Sequence, residues 1–254
     1  MAKNLDKEYI NLIRFCSSFP KIKCSICRQG FLSIDIKQIS KKATPASKEA
    51  LEHEASDPIW LEDIWTGMAY CTNPDCVHPF AISGTTEYIE EFDTYHNEIN
   101  YVTHYIIKTT YPEMMIFVIP DSCSEKVSQE IKKSFALFFN NLSGCANALR
   151  TAIEYLLTDL KIRKCSIANH KKRRLTLHNR IEELGKKNCL YSDSSKQLMA
   201  IKWIGNEGSH SEVSETEILK AYKILAHVLD DLQVKINRRE IEKEANSVIR
   251  KHKR

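Results

Sequence analysis

Apolar positions change their period along the chain. Within residues 5–19, Tyr9, Ile10, Leu12, Ile13 and Cys16 recur near helical spacing before Pro20, which predicts a short helix. In residues 21–36, Leu32, Ile34 and Ile36 alternate with Phe31, Ser33 and Asp35, as in a strand, turn and strand. Residues 39–57 are polar and read as an exposed loop or a short surface helix. Residues 58–119 are rich in Ile, Val, Thr, Tyr, Phe and Trp, the types that suit a pleated, half-buried surface.

After Pro120 the period becomes helical. Val127, Ile131, Phe135 and Phe138 mark one helix, and Cys145, Leu149, Ala152, Ile153, Leu156, Leu157 and Leu160 mark a longer one. Further helices are predicted at about 175–187, 194–208 and 214–245. Ser194 with Gln197, and Ser214 with Glu217, have the spacing of capping boxes. The fold class is therefore α+β: a β-rich module over 1–119 with an N-terminal helix, then an all-α helical bundle over 120–254 with a basic tail.

Charge divides the chain at nearly the same place. Residues 1–125 carry 11 Lys/Arg against 18 Asp/Glu, whereas residues 126–254 carry 26 against 15. The basic half suits a polyanion such as nucleic acid. No stretch reaches the roughly 18 apolar residues of a membrane span, and the first residues lack the apolar core of a signal peptide, so a cytoplasmic protein without membrane contact is expected.

Nine cysteines are an odd number, which makes a disulfide framework the weaker explanation. Cys24 and Cys27 form a C-x-x-C, and Cys71 and Cys76 form a second pair. Two such pairs can present four thiolates to one ion in the tetrahedron that zinc prefers, predicting a structural Zn2+ site with no open position for catalysis. His78 is an alternative to Cys76 as the fourth ligand. Buried thiols and a redox pair are the competing readings; no βαβ pattern surrounds the C-x-x-C to favour the latter. Cys16, Cys123, Cys145, Cys165 and Cys189 fall singly and read as core residues.

Residues 161–175 contain seven cations, Lys161, Arg163, Lys164, Lys171, Lys172, Arg173 and Arg174, a density that suits phosphate binding. The bland alternative is a solvated loop and helix end. Farther on, Gly205 and Gly208 interrupt a helical pattern. Asn206 and His210, four apart, share one face if that helix persists. An imidazole beside an amide, with Lys202 and Arg150 as cations, has the parts for acid–base work on a phosphodiester. A hydrogen-bonded structural pair that fixes the helix packing explains Asn206 and His210 more readily.

Four segments, 111–120, 148–154 with Arg150 and Glu154, 177–184, and 201–210 with Gly205, Asn206 and His210, resemble the domain of unknown function 4145 family, over about residues 111–235. That family is placed in the HEPN superfamily of helical, nucleic-acid-associated domains. The cysteine-bearing first part is similar to the zinc-ribbon-like leader that often precedes it. The resemblance implies a four- to five-helix bundle, a homodimer and a role in prokaryotic restriction, phage defence or toxin systems. Active HEPN members are metal-independent endoribonucleases; their histidine matches His210 and their polar residue Asn206, while the arginine position holds Gly205.

The expectation is a non-catalytic module that binds or senses nucleic acid, RNA before DNA, in a prokaryotic defence or toxin setting, with a possible partner protein from the same system. Gly205 favours that reading over an endoribonuclease built on His210, Asn206, Arg150, Glu154 and Lys202. A purely structural protein–protein adaptor is a further alternative. The chain has no P-loop, no H-E-x-x-H helix and no G-x-S-x-G elbow, so ATPase, metalloprotease and lipase readings have no support.

Overall fold

In a computed structural model of the chain, residues 11–168, 171–187, 191–207 and 213–252 are described. Six strands, β1 (Arg14–Phe15), β2 (Leu32–Ile34), β3 (Ser40–Ala43), β4 (Asp63–Cys71), β5 (Pro79–Asp93) and β6 (Glu98–Tyr111), form one antiparallel sheet. Its order is β1-β6-β5-β4-β2, with β3 also paired to β4. Helices follow, making the protein mixed α+β. The chain divides into two units: Met1–Ile116 with Phe135–Asn141, and Phe117–Ser134 with Leu142–Arg254.

Alternation along β4 sorts its side chains. Trp65, Ala69 and Cys71 are buried, while Ile64, Thr66, Met68 and Tyr70 face outward. Trp65 centres the core of the sheet: Phe15 and Tyr105 meet its ring edge-on, with centroids 5.5 and 5.6 Å away. Its indole N–H donates to the carbonyls of Thr85 and Ile106 at 3.0 and 3.1 Å. Gly84 permits the approach. A β-carbon there would stand 1.7 Å from the Ile106 carbonyl oxygen, and the strand register shifts at Ser83 and Gly84.

Two expectations for the first 119 residues need correction. The helix predicted over 5–19 does not extend through Arg14 and Phe15, which pair with Ile106 and Tyr105. Burying Phe15 in the aromatic cluster outweighs the weak preference of a short helix. Residues 112–119 carry strand-type side chains but no strand; Met114, Met115 and Ile119 are buried from irregular backbone. The polar stretch 39–57 holds the short surface helix that is one of its two readings, α1 (Pro45–Leu51), whose start is capped where the Thr44 hydroxyl accepts from the Ser47 N–H at 3.2 Å, and adds the strand β3 before it.

The second unit contains α2 (Glu125–Leu137, whose last turn belongs to the first unit), α3 (Leu142–Asp159), α4 (Leu177–Lys187), α5 (Ser192–Glu207) and α6 (Glu215–His252). α3 packs on α4, α5 and α6, and α5 also touches α4 and α6. Eight apolar residues of α3 are buried, from Cys145 to Leu157, and α6 buries Ile218, Leu219, Tyr222, Leu225, Val228, Leu229 and Leu232. Beyond Leu232, α6 is mostly exposed.

The box at Ser214 forms: its N–H donates to the Glu217 carboxylate at 2.9 Å while the Glu217 N–H reaches the Ser214 hydroxyl at 3.4 Å. The one predicted at Ser194 does not. α5 starts two residues earlier, and the buried Ser194 hydroxyl donates instead to Asp231 of α6 at 3.0 Å. The basic stretch is not a plain loop either. It contains a two-stranded hairpin, β7 (Cys165–Ala168) and β8 (Lys171–Arg174), in which Cys165 pairs with Arg174 and Ile167 with Lys172. Among the described residues no helix is long and apolar enough to cross a membrane.

Candidate functional site

Two hairpin ends of the sheet unit bring four cysteines together. Lys23 and Phe31 pair across the first turn, and the Arg28 N–H donates to the Cys24 carbonyl at 3.0 Å with Arg28 at φ 59. The second turn joins β4 to β5: the Cys76 N–H donates to Asn73 at 3.0 Å, and Val77 takes φ 43. Pairing of Leu32 with Cys71 sets one turn beside the other. The result closes the 43-residue gap between Cys27 and Cys71.

The sulfurs of Cys24 and Cys76 are 3.9 Å apart and those of Cys27 and Cys71 are 3.5 Å apart; all four lie within 4.8 Å of one another. Four thiolates around zinc at about 2.3 Å stand about 3.8 Å apart, so the cluster is compatible with that ion. Backbone N–H groups of Gly30 and Asn73 point at the Cys27 and Cys71 sulfurs at 3.5 and 3.4 Å. The N–H groups of Gly30 and Gln29 hold the Cys27 thiol down to about 6, whereas burial pushes Cys71 up to about 12. A divalent cation offsets the cost of ionising the buried member. His78 contributes no ligand atom to this group; its ring lies against Phe80, 5.6 Å between centroids.

In the second unit the β7–β8 hairpin carries the basic stretch. Every residue of β8 is exposed. Arg163 pairs with Glu183 at 2.9 Å and Arg174 with Glu154 at 3.4 Å. Lys164, Lys171, Lys172 and Arg173 have no ion pair among the described residues. Lys161 sits at the turn after α3 with φ 56. Strand alternation puts Lys171 and Arg173 on one face of β8, and Lys172 and Arg174 on the other.

Behind Arg174 lies a pocket of about 580 Å³ between the hairpin and α3, lined among others by Glu154, Tyr155, Thr158, Lys164, Arg174 and Arg180. Arg180 was not among the residues singled out from the sequence. It is 4% exposed and donates to the Glu154 carbonyl at 3.0 Å, the Thr158 hydroxyl at 2.9 Å and the Ile162 carbonyl at 3.4 Å. Its Nε is buried with no hydrogen-bond partner. Burial lowers its pKa, the Glu154 carboxylate opposing, and the guanidinium stays charged. The legible signal was an arginine at helical spacing among Leu177, Ile181 and Leu184, on the face that α4 buries.

Of the residues expected to form a ribonuclease pocket, three have described side chains. Arg150 and Glu154 lie on α3, and Glu154 turns to the hairpin. Lys202 lies on α5, 8% exposed, with its ammonium 3.7 Å from the Trp203 ring centroid. Asn206 falls in the last turn of α5, its side chain outside the described residues, as are His210 and Cys189. Of the cysteines read as core, Cys145 is fully buried, while Cys16, Cys123 and Cys165 are half-buried.

Searches of curated proteins and of solved structures found no match to the chain. Family models match in two places, one in each part of the chain. Residues 15–115, which span the sheet and its cysteine cluster, are similar to the family described as Domain of unknown function (DUF8608), and residues 129–252, which span the helices and the basic hairpin, to that described as Domain of unknown function (DUF4145).

Proposed function

We propose that the protein is a non-catalytic module that binds or senses nucleic acid, RNA before DNA, through the β7–β8 hairpin. The observation that carries this reading is the run Lys171 to Arg174: four consecutive cations, all exposed, on a strand that projects them to two sides. Three of the four are spent on no carboxylate among the described residues, so they are free to replace counterions along a phosphate backbone. The same reading takes the helical half, which is similar over residues 129–252 to the DUF4145 family, as a HEPN-type bundle that works as a homodimer, in the cytoplasm, in a prokaryotic defence or toxin system.

In this reading Cys24, Cys27, Cys71 and Cys76 hold one zinc ion, and the first unit is a zinc-ribbon-like module in which two cysteine turns are locked together. The donor set supports it, since four thiolates leave no position for substrate. The ion's chemistry there is structural: it supplies the cross-link that the small first turn needs. Gly30 lets the two turns approach, and its N–H, with that of Asn73, steadies the thiolates.

The test is fluorescence anisotropy of a labelled single-stranded RNA and a duplex DNA across a salt series. Affinity for RNA should fall linearly on logarithmic axes. Replacing Lys171, Lys172 and Arg173 together by Ala should reduce that slope by about 2, at about 0.7 per lost phosphate contact on a single strand. No binding at low salt, or an unchanged slope, overturns the reading. RNA should also stay intact in excess EDTA; fragments ending in 2′,3′-cyclic phosphate that disappear in His210→Ala would make the protein the endoribonuclease instead.

A further inference from the structure

We propose that the pocket between α3 and the β7–β8 hairpin binds a nucleotide through its terminal phosphate. Lys164, Arg174 and Arg180 bring three cations to its lining and Glu154 one carboxylate, so an anion is the ligand that balances it. A lone ion pair at 3.4 Å on an exposed Arg174 leaves most of that guanidinium's donors unused. Beneath it, the Nε of Arg180 is buried and without a hydrogen-bond partner while both terminal nitrogens are held in place. Those bonds fix the charge of Arg180 at the pocket wall, and a phosphate oxygen is the acceptor that suits the open guanidinium fork of Arg174.

The size of the pocket argues for more than an inorganic ion. About 580 Å³ lies within the range of small-molecule sites, and Tyr155 and Leu175 supply apolar wall beside the cations. Tyr155, whose ring also has the Lys126 ammonium 5.9 Å from its centroid, puts an aromatic side chain beside the cationic cluster, a pairing that suits a base and its phosphate together. Thr158, which already accepts from Arg180, and Glu154 are left to orient hydroxyl or amino groups of the ligand.

Strand alternation separates this site from the rest of the hairpin. Cys165 and Arg174, paired across the hairpin, both line the pocket, while Lys171 and Arg173 lie on the opposite face. The ligand is therefore a nucleoside phosphate, either free or as the 5′-terminal nucleotide of a strand; the second source rests on the nucleic-acid reading above.

Isothermal titration of the full chain with 5′-AMP, adenosine and inorganic phosphate tests the pocket, and titration with 5′-phosphorylated and 5′-hydroxyl forms of one RNA oligonucleotide identifies the source. AMP should bind one to one, with adenosine at least tenfold weaker. Arg174→Gln and Lys164→Ala, both at exposed positions, should each weaken AMP at least tenfold with the circular dichroism spectrum unchanged. Lys186→Ala, which removes an exposed cation on α4, should leave AMP affinity unchanged. Preference for the 5′-phosphorylated oligonucleotide makes the strand end the ligand; AMP binding without oligonucleotide binding supports the pocket with a free nucleotide and removes the nucleic-acid reading. No saturable AMP binding, equal affinity for adenosine, or indifference to both pocket variants overturns the proposal, even if the oligonucleotides bind.

Discussion

A β-carbon placed on Gly30 would stand 2.4 Å from the Cys71 sulfur and 2.7 Å from the Asn73 nitrogen. The glycine of the first cysteine turn is thus the surface on which the second turn rests. Gly30→Ala must push the two turns apart and take Cys71 out of the cluster. Purified Gly30→Ala should carry well under half of the wild-type zinc by atomic absorption, at equal helical content. Full zinc occupancy in this variant would contradict the contact.

Removing the ion should act on one unit. If the four cysteines hold zinc as proposed, chelation at neutral pH should loosen the sheet unit, where the ion would join residues far apart in sequence, and leave the helices folded. Near-ultraviolet signal from Trp65 should change on chelation while the 222 nm signal stays. A single unchanged melting transition, with no zinc found beforehand, would sink the metal assignment.

Arg180 ties the C-terminal half of α3 to α4 and to the turn beyond. Arg180→Met removes the donor for two carbonyls and one hydroxyl, at a cost of about 3 kcal/mol, read as a lower denaturation midpoint of the helical signal. Arg180→Lys should recover little of this, since one ammonium cannot reach three acceptors that a planar fork spans. Wild-type stability in either variant would refute the bridging role.

Alkali should weaken the helical unit. Burial raises the Cys145 thiol to about 12 and the Tyr222 hydroxyl well above its usual value; the two groups lie 3.1 Å apart, and Tyr222 donates to Ser134 at 3.2 Å. Both are held protonated in the folded state, so their contribution is full below pH 9 and is lost as pH rises, at about 1.4 kcal/mol per pH unit for each thiol or phenol that ionises on unfolding. Denaturant titrations at pH 8 and pH 10.5 should differ accordingly, and Cys145→Ala should flatten the dependence. Equal stability at the two pH values would disprove it.

Much of this architecture was legible. The change of period near Pro120 marked where strands give way to helices, because a stripe such as that from Cys145 to Leu157 has only one regular solution. The two cysteine pairs pointed to a cluster because their spacing is itself the chemistry. Phe15 was misread since its fate is decided by Trp65 and Tyr105, both far along the chain. Local pattern also could not foresee the β7–β8 hairpin, whose lysines and arginines have poor strand propensity and whose pairing is fixed by the ends of α3 and α4. Arg180 escaped notice because its partners are backbone carbonyls, which no sequence displays.

The sheet also implies an order of assembly. Asp93 pairs with Glu98 across a four-residue turn, whereas Arg14 must find Ile106 and Cys24 must find Cys76. Closing a short loop costs less chain entropy than closing a long one, so the β5–β6 hairpin can zip from its tip before anything else in that unit is fixed. β4 then docks on β5, and the first cysteine turn and β1 arrive last, onto edges already formed. The cysteine cluster is in that sense a clasp rather than a seed: a metal held there would close a sheet whose centre has been laid down without it.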